Sequence, residues 1–294
     1  MSGSNSTLNA ANWANLQGRI ALVTGGGTGL GLMMARGFAA NGAKVYITGR
    51  RADVLKEAVE HNPGLVALPM DVTNKESIAS GVKVIEETEG KLDILVNNAG
   101  IVGPASPFLV DKSAPENQNL GQALFNQHQF SEWQDVFTLN SVAPFFVTTA
   151  FLPLLEKAAR ARGDGETSNI INISSIMGTL RTSFSAIPYG STKAALDHLT
   201  TLLATEFALH EIPVRVNGIS PGPFPSQLAG PEVVLSEVMK KPMPGAVNPS
   251  PAKRPGREEE IAAVALYLSS AGGSYTNGIT IRVDGGHNLV NLSA

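Results

Sequence analysis

Short apolar runs alternate with longer amphipathic segments along most of the chain. Continuous apolar runs of this kind are typical of strands that are buried on both faces. They predict strands at 19–24, 44–48, 65–70, 94–97, 169–174, 214–219 and 280–283. The segments between them predict helices at 30–41, 52–61, 75–89, 131–159, 189–210 and 258–270. This alternation predicts a single-domain α/β fold, in which a doubly wound parallel sheet of about seven strands carries helices on both faces.

Two irregular segments interrupt the alternation. Residues 103–130 are rich in Asn, Gln and Pro. Residues 221–255 hold nine of the 18 prolines, which leaves room for at most one short helix near 231–241. Loops this long are uncommon in compact domains and often carry function. We therefore interpret both segments as loops that carry function.

Composition and charge narrow the possible functions. The 294 residues are 43% hydrophobic and 16% charged, which is a globular balance. A net charge of −3 without a basic run gives no support for nucleic-acid binding. The absence of cysteine excludes disulfides, thiolate metal sites and a cysteine nucleophile, and it fits a reducing, cytoplasmic location. The five histidines are scattered along the chain, so no metal site is expected.

The first residues predict no targeting segment. Residues 1–18 are polar and lack the apolar stretch of a secretory signal. We expect a flexible N-terminal tail, with Trp13 and Leu16 docked on the surface. We also expect no segment to supply the roughly 20 apolar residues of a membrane span.

A glycine-rich turn follows the first predicted strand and opens a helix. Its sequence is TGGGTGLG, from 24 to 31. Glycines let the backbone approach a pyrophosphate closely, and a helix N-terminus offers free N–H groups to it. An ordinary glycine-rich turn is the alternative, but four glycines within 25–29 favour a nucleotide site. Its predicted contacts are Gly25, Thr28, Gly29, Leu30 and Gly31.

The end of the second strand indicates which cofactor binds. Proteins that prefer NAD usually place an acid there to hold the ribose 2′-hydroxyl. Here the strand ends in TGRR, so Arg50 and Arg51 stand in its place. A guanidinium can pair bidentately with a 2′-phosphate. We therefore predict NADP(H), bound through Arg50, whereas for Arg51 a solvated charge that opens a helix is an equal alternative.

A tyrosine and a lysine stand four residues apart in a predicted helix. Tyr189 and Lys193 then lie on one face, one turn apart. A free tyrosine has a pKa near 10, and an adjacent ammonium lowers it. The phenol could then protonate a carbonyl oxygen as hydride arrives. A hydroxyl from Ser174 or Ser175, just upstream, could bind the same oxygen.

These motifs, taken in order, resemble the short-chain dehydrogenase/reductase family from residue 19 to 287. The motifs on which this resemblance rests are T-G-x-x-x-G-x-G at 24–31, NNAG at 97–100 and Y-x-x-x-K at 189–193. The resemblance implies a Rossmann-type fold, with 19–294 as one dinucleotide-binding catalytic domain.

The resemblance also implies roles for single residues. It makes Ser175, which precedes Tyr189 by 14 residues, the catalytic serine and leaves Ser174 as a turn hydroxyl. Asn140, in FTLNSVAPFFVT, would hold a water that links Lys193 to solvent. The resemblance also implies contacts with the cofactor. Asp71 and Val72 would hold the adenine ring, and Asn98 would border the cofactor. Phe224 and Ser226 would lie near the nicotinamide, and Tyr189 and Lys193 would contact the ribose.

Within that family, YGSTKAAL and PGPFPSQL look most like 3-oxoacyl reductases of rhamnolipid and fungal secondary-metabolite pathways. The resemblance implies an NADPH-dependent carbonyl reductase that acts on a small-molecule ketone of 3-oxoacyl or polyketide type. It also implies a homo-oligomer, a tetramer or a dimer, formed through the helices near 131–159 and 189–210. An NAD-dependent alcohol dehydrogenase and a catalytically silent NADP(H)-binding sensor or structural protein stay open as alternatives.

Overall fold

The computed structural model describes residues 8–163, 165–242, 248–291 and 293. Its centre is a seven-stranded parallel sheet in the order β3-β2-β1-β4-β5-β6-β7. Strands β1 to β7 span Ile20–Thr24, Lys44–Gly49, Leu65–Pro69, Ile94–Asn97, Ser168–Ile173, Val214–Pro221 and Thr280–Val283. Helices α1 to α11 span Ala10–Trp13, Gly29–Ala40, Ala52–His61, Lys75–Glu89, Leu120–Gln127, Phe130–Phe137, Ala143–Arg162, Ile187–Leu209, Glu232–Val238, Glu258–Ser269 and His287–Val290.

The sheet carries a separate apolar core on each face. Successive side chains of β1 alternate between the two cores: Ala21 and Val23 belong to one, and Ile20 and Leu22 to the other. The first core is filled from α2, α3 and α10, and the second from α4, α7 and α8. Strands covered on both faces confirm the predicted doubly wound, Rossmann-type fold. The strand order reverses between β1 and β4, and in such sheets a crevice opens at the carboxyl ends there.

The predicted helix at 131–159 is interrupted at Asn140. The N-terminus of α6 is capped by Glu132, whose carboxylate accepts a hydrogen bond from the Gln129 N–H at 2.7 Å. The run then passes through a π turn at Thr138–Val142 before α7 begins. A π turn has one residue more than an α turn and often marks a functional site. Asn140 is buried at that turn.

The run Phe130–Arg162 corrects one expectation. By length and composition alone it is apolar enough to cross a membrane, and it is the only such helix in the described part of the chain. Half of its most apolar window is buried inside the protein. Its inner face belongs to the second core, between the sheet and α4, α7 and α8, through Val147, Phe151 and Leu155. A segment apolar enough for a span therefore exists, but its packing is that of a core helix.

The N-terminal segment differs from the loosely held tail that we expected. Residues 1–7 lie outside the described residues, but α1 follows them directly. Leu16 has no exposed surface and belongs to the core that contains Phe38. Its N–H donates to Asn41 O at 2.8 Å. An isolated apolar residue in a polar segment has no periodicity from which this depth could be predicted.

The two irregular segments are more ordered than a plain loop. Residues 103–130 contain short 3₁₀ turns at Pro107–Leu109 and Pro115–Asn119, followed by α5. Within 221–255 the described residues contain one short helix, α9, as predicted near 231–241. The first segment is tied to the loop before α8, because the Ser106 N–H donates to Ser185 O at 2.7 Å.

Candidate active site

A cleft of about 900 Å³ lies at the carboxyl ends of the strands, on both sides of the point where their order reverses. The glycine-rich turn at 24–31, called the phosphate turn below, forms its floor. The ends of β2 and β3 form one end of the cleft, and α8 forms the other. Predicted site residues on its wall are Gly25, Thr28, Gly29, Leu30, Arg50, Asp71, Val72, Asn98, Tyr189, Lys193 and Ser226.

The phosphate turn has a backbone that only glycine adopts easily. Gly25 and Gly29 have φ values of 62° and 53°, in the left-handed region. A Cβ on Gly31 would lie 2.4 Å from Gly25 O, so a side chain there would push α2 away from the turn. Gly31 therefore lets the start of α2 pack against the turn, and it is not among the residues that line the cleft. The open space beside Gly25 and Gly29 fits a pyrophosphate at the N-terminus of α2.

Asn98 holds this turn in place from the neighbouring strand. Its Nδ2 donates to Thr24 O at 2.9 Å and to Gly25 O at 3.1 Å. The Thr24 hydroxyl in turn accepts hydrogen bonds from the Asn98 and Ala99 N–H groups, at 2.9 and 3.1 Å. Asn98 thus borders the cleft, and its side-chain amide donates both of these hydrogen bonds to the turn. The part played by Thr24 was missed, although Thr24 is the first residue of the T-G-x-x-x-G-x-G motif at 24–31.

The far end of the cleft carries two arginines and an aspartate. Arg50 and Arg51 are both exposed. Asp71 accepts from the Thr73 hydroxyl at 2.7 Å and from the Thr73 N–H at 2.9 Å. Hydrogen bonding from the Thr73 side chain is the largest of the effects that lower the pKa of Asp71, and Arg50 adds to it. The two residues that follow β2 are thus cationic, and no acid stands in their place.

Tyr189 and Lys193 lie one turn apart at the start of α8, as their spacing predicts. Pro188 occupies the first turn of the helix, where its missing N–H is tolerated. The Lys193 Nζ lies 5.6 Å from the centroid of the Tyr189 ring. It donates a hydrogen bond to Ile173 O, at the end of β5, at 2.8 Å. Ser175 follows that strand, and its hydroxyl accepts from the Met177 N–H at 3.2 Å.

The protonation of this pair differs from our expectation. Burial raises the pKa of the Tyr189 phenol, and hydrogen bonding to Ser175 only partly opposes the rise. Burial also lowers the pKa of the Lys193 ammonium to about 8, with Asp197 acting in the opposite direction. The predicted lowering of the phenol pKa by Lys193 is therefore not dominant, because desolvation disfavours the phenolate more strongly. The phenol is neutral and can donate a proton.

Asn140 lies beside the pair but uses its side chain structurally. Its Nδ2 donates to Ile101 O at 2.8 Å and to Thr192 Oγ1 at 3.1 Å, and its Oδ1 accepts from the Ile101 N–H at 3.0 Å. It therefore joins the loop after β4 to α8. A Cβ on Gly100 would lie 3.1 Å from Asn140 Oδ1 and 3.7 Å from Lys193 Nζ, which places both groups around one glycine.

Phe224 is not where it was predicted. Its ring is 2% exposed and belongs to the core. A Cβ on Gly256 would lie 2.2 Å from the ring, which shows how closely that backbone covers it. Phe224 borders a separate cavity of about 250 Å³ together with Met239 and Arg254. The crowded prolines give the loop no periodicity, so the spacing could not tell which side chain turns inward. Ser226 does border the cleft, against Gly29.

The sequence also gave Ser174 only a turn role, and it missed Asp197. Ser174 lies on the cleft wall, and its hydroxyl donates to Lys193 O at 3.2 Å. Asp197 is one turn beyond Lys193 and accepts from the Thr280 hydroxyl at 3.2 Å. Its position four residues after Lys193 was the available signal.

The family model that describes short-chain dehydrogenases matches residues 19–233, which is well over half of the chain. This stretch contains the phosphate turn, Asn140, Ser175 and the pair on α8. The chain belongs to the short-chain dehydrogenase family. The resemblance inferred from the motifs is thereby confirmed, and with it the class of oxidoreductase that uses a nicotinamide cofactor.

Relatives of this short-chain dehydrogenase cover nearly all of it. The short-chain dehydrogenase/reductase VdtF of Byssochlamys spectabilis is 35% identical over an alignment 300 positions long, which covers 95% of this chain and 96% of the relative. The rhamnolipid-biosynthesis 3-oxoacyl-(acyl-carrier-protein) reductase of Pseudomonas aeruginosa is 33% identical and covers 94% and 98%. The solved Pseudomonas aeruginosa RhlG/NADP active-site complex has a TM-score of 0.76 at 31% identity, over 94% of this chain and 98% of that one.

Proposed function

We propose that this short-chain dehydrogenase is an NADPH-dependent carbonyl reductase, which transfers hydride reversibly between NADP(H) and a ketone or secondary alcohol. The observation that carries the proposal is a single cleft with cationic Arg50 at one end and the neutral Tyr189 phenol at the other. The solved relative with NADP in its active site supports the choice of cofactor.

The cofactor would lie along the cleft floor. Its pyrophosphate would rest on the turn at 25–31, and Arg50 would pair with the 2′-phosphate. Asp71 and Val72, on the cleft wall, would border the adenine, and Asn98 would border the nicotinamide half. Ser226 was expected at the nicotinamide but lies against Gly29, so it would border the pyrophosphate. When bound, the cofactor supplies the hydride.

The chain's own residues handle the proton. Tyr189 donates its phenolic proton to the carbonyl oxygen of the substrate, and Ser175 holds that oxygen by a hydrogen bond. Lys193, one turn along α8, offers a positive charge that stabilises the phenolate left behind, and it would contact the ribose of a bound cofactor. Asn140 fixes the loop at Ile101 against α8, where a water could connect Lys193 to solvent.

The substrate class follows from the subgroup of relatives. We infer a 3-oxoacyl or polyketide-type ketone, which the 3-oxoacyl reductase supports by its name. The segments 103–130 and 221–255 would shape its pocket within the single catalytic domain 19–294. Phe145 on α7 and Leu202 on α8 are exposed apolar residues on helices that we expect to form a dimer or tetramer. We expect the assembled enzyme in the cytoplasm.

Cofactor choice tests the proposal directly. Arg50→Ala is expected to raise the Kd for NADPH about 10- to 100-fold, because a charge-assisted bidentate pair with the 2′-phosphate is lost. The Kd for NADH should stay within about twofold. Both constants can be measured by fluorescence titration. Arg36→Ala is the matched control, since Arg36 pairs with Glu258 at 3.1 Å and does not border the cleft. A wild-type preference for NADH would instead favour the NAD-dependent alcohol dehydrogenase.

The low pKa of Lys193 predicts the pH dependence. Because burial lowers this pKa to about 8, the ammonium is present below that pH and is lost as the pH rises through it. The kcat for ketone reduction should therefore be level below pH 8 and fall above it. A kcat profile from pH 6 to 10 with saturating NADPH measures this. Lys193→Arg keeps its charge throughout and should lack the alkaline fall, although its kcat is lower. An unchanged fall in that variant would assign the titration to another group.

A further inference from the structure

A tight turn at 226–230 lies over the phosphate end of the cleft. The Ser226 N–H donates to Gly230 O at 3.1 Å, and the Gly230 N–H donates to Ser226 O at 2.9 Å. The Ser226 hydroxyl also accepts from the Ala229 N–H at 3.0 Å. A Cβ on Gly29 would lie 3.0 Å from Ser226 Cβ, so the turn rests on the phosphate turn. Its two anchors fix where the intervening side chains stand.

Gln227 extends from this turn to the end of the cleft that holds the arginines. Its Oε1 accepts a hydrogen bond from Arg51 Nη2 at 3.1 Å, across 176 residues of sequence. Arg51 is the N-cap residue of α3, directly after Arg50. Arg50, Arg51 and Gln227 all border the cleft. The hydrogen bond thus joins the segment 221–255 to the end of β2, where Arg50 would bind the 2′-phosphate.

We propose that Gln227 determines cofactor specificity by holding the Arg51 guanidinium over the 2′-phosphate position, beside Arg50. This rests on the proposed NADPH dependence. A guanidinium has five N–H donors, and Gln227 occupies one nitrogen, which leaves Nε and Nη1 for the phosphate. The amide of Gln227 is neutral, so it orients the cation without cancelling its charge. An exposed arginine side chain that is already held in one conformation loses less conformational entropy when the anion binds, so binding is tighter.

The test uses ligands that carry only the adenosine end. Adenosine 2′,5′-bisphosphate and 5′-AMP differ in the 2′-phosphate, and calorimetry on the full chain gives Kd for each. Gln227→Ala is expected to weaken the bisphosphate about three- to tenfold and to change 5′-AMP less than twofold. Gln227→Glu should weaken the bisphosphate at least as much, because its carboxylate pairs with Arg51 and offsets the charge.

A double-mutant cycle separates action through Arg51 from a general effect on the loop. Once Arg51→Ala is present, adding Gln227→Ala should change the bisphosphate Kd by less than about twofold. Both side chains are exposed, so the variants should keep the thermal midpoint of the wild type. Tighter bisphosphate binding by Gln227→Ala, an equal change for both ligands, or full additivity with Arg51→Ala would overturn the inference.

The same data distinguish this inference from the proposed function. A wild-type chain that binds the two ligands equally would overturn the NADPH preference and the inference together. A wild-type chain that prefers the bisphosphate, with the preference unchanged in Gln227→Ala, would overturn the role of Gln227 alone. In that case Arg50 would carry the preference.

Discussion

Tyr189→Phe is expected to lower kcat for ketone reduction by about 10²- to 10⁴-fold, which is the usual range for loss of a general acid. The substitution removes the phenolic proton and keeps the ring that stands 5.6 Å from Lys193 Nζ. NADPH binding should therefore change by less than about threefold. Steady-state oxidation of NADPH at saturating ketone gives the first quantity, and fluorescence titration gives the second.

Tyr267→Phe provides the matched control. It also removes one phenolic hydroxyl, which is hydrogen-bonded to Thr276 Oγ1 at 2.7 Å, but Tyr267 does not border the cleft. Its kcat should remain close to the wild-type value. If Tyr189→Phe retained more than a tenth of the wild-type kcat, the proton donor would have to be another group.

Asp93→Ala is expected to lower the free energy of unfolding by about 3–5 kcal/mol, the range for removing one partner of a buried ion pair. The Asp93 side chain has no exposed surface. Its carboxylate pairs with Arg162 Nη1 and accepts a hydrogen bond from the Ile20 N–H at 2.9 Å. The Lys91 Nζ lies 3.2 Å from the same carboxylate. Alanine would leave Arg162 and the Ile20 N–H without this partner. Urea denaturation at constant protein concentration measures the change.

An exposed ion pair gives the comparison for this second result. The Lys56 Nζ and Glu60 Oε1 are 3.8 Å apart on α3, with both side chains more than half exposed. Glu60→Ala should therefore change the free energy of unfolding by less than about 0.5 kcal/mol. Asp93 lies at the amino end of β4, on the opposite edge of the sheet from the cleft, so the remaining folded enzyme should keep its kcat. A loss below about 1 kcal/mol for Asp93→Ala would mean that Arg162 finds another partner.

Much of the fold could be predicted because its signals are local. Buried parallel strands require apolar runs, and all of the predicted runs form strands of the sheet. The glycines at 25–29 and the spacing of Tyr189 and Lys193 are likewise fixed by backbone geometry over a few residues. Their meeting in one cleft follows from the rule that the carboxyl ends of parallel strands share an edge.

Other features depend on contacts between distant residues. Phe224 turns into the core because Gly256 leaves room for its ring, which no spacing within the loop reveals. The raised pKa of Tyr189 comes from burial, and burial is a property of the whole fold. The bond between Arg51 and Gln227 likewise joins segments that the sequence treats separately.

The burial of Leu16 separates two definitions of where this domain begins. The segment shared with the family model starts at residue 19. The hydrophobic core starts earlier in the chain, because Leu16 fills the core beside α2 and Trp13 covers Gly272 in the turn after α10. Burial of one leucine contributes about 1.5–3 kcal/mol, which is a large part of the stability of an ordinary domain. A domain boundary placed at residue 19, where the family model begins, would therefore remove part of the hydrophobic core.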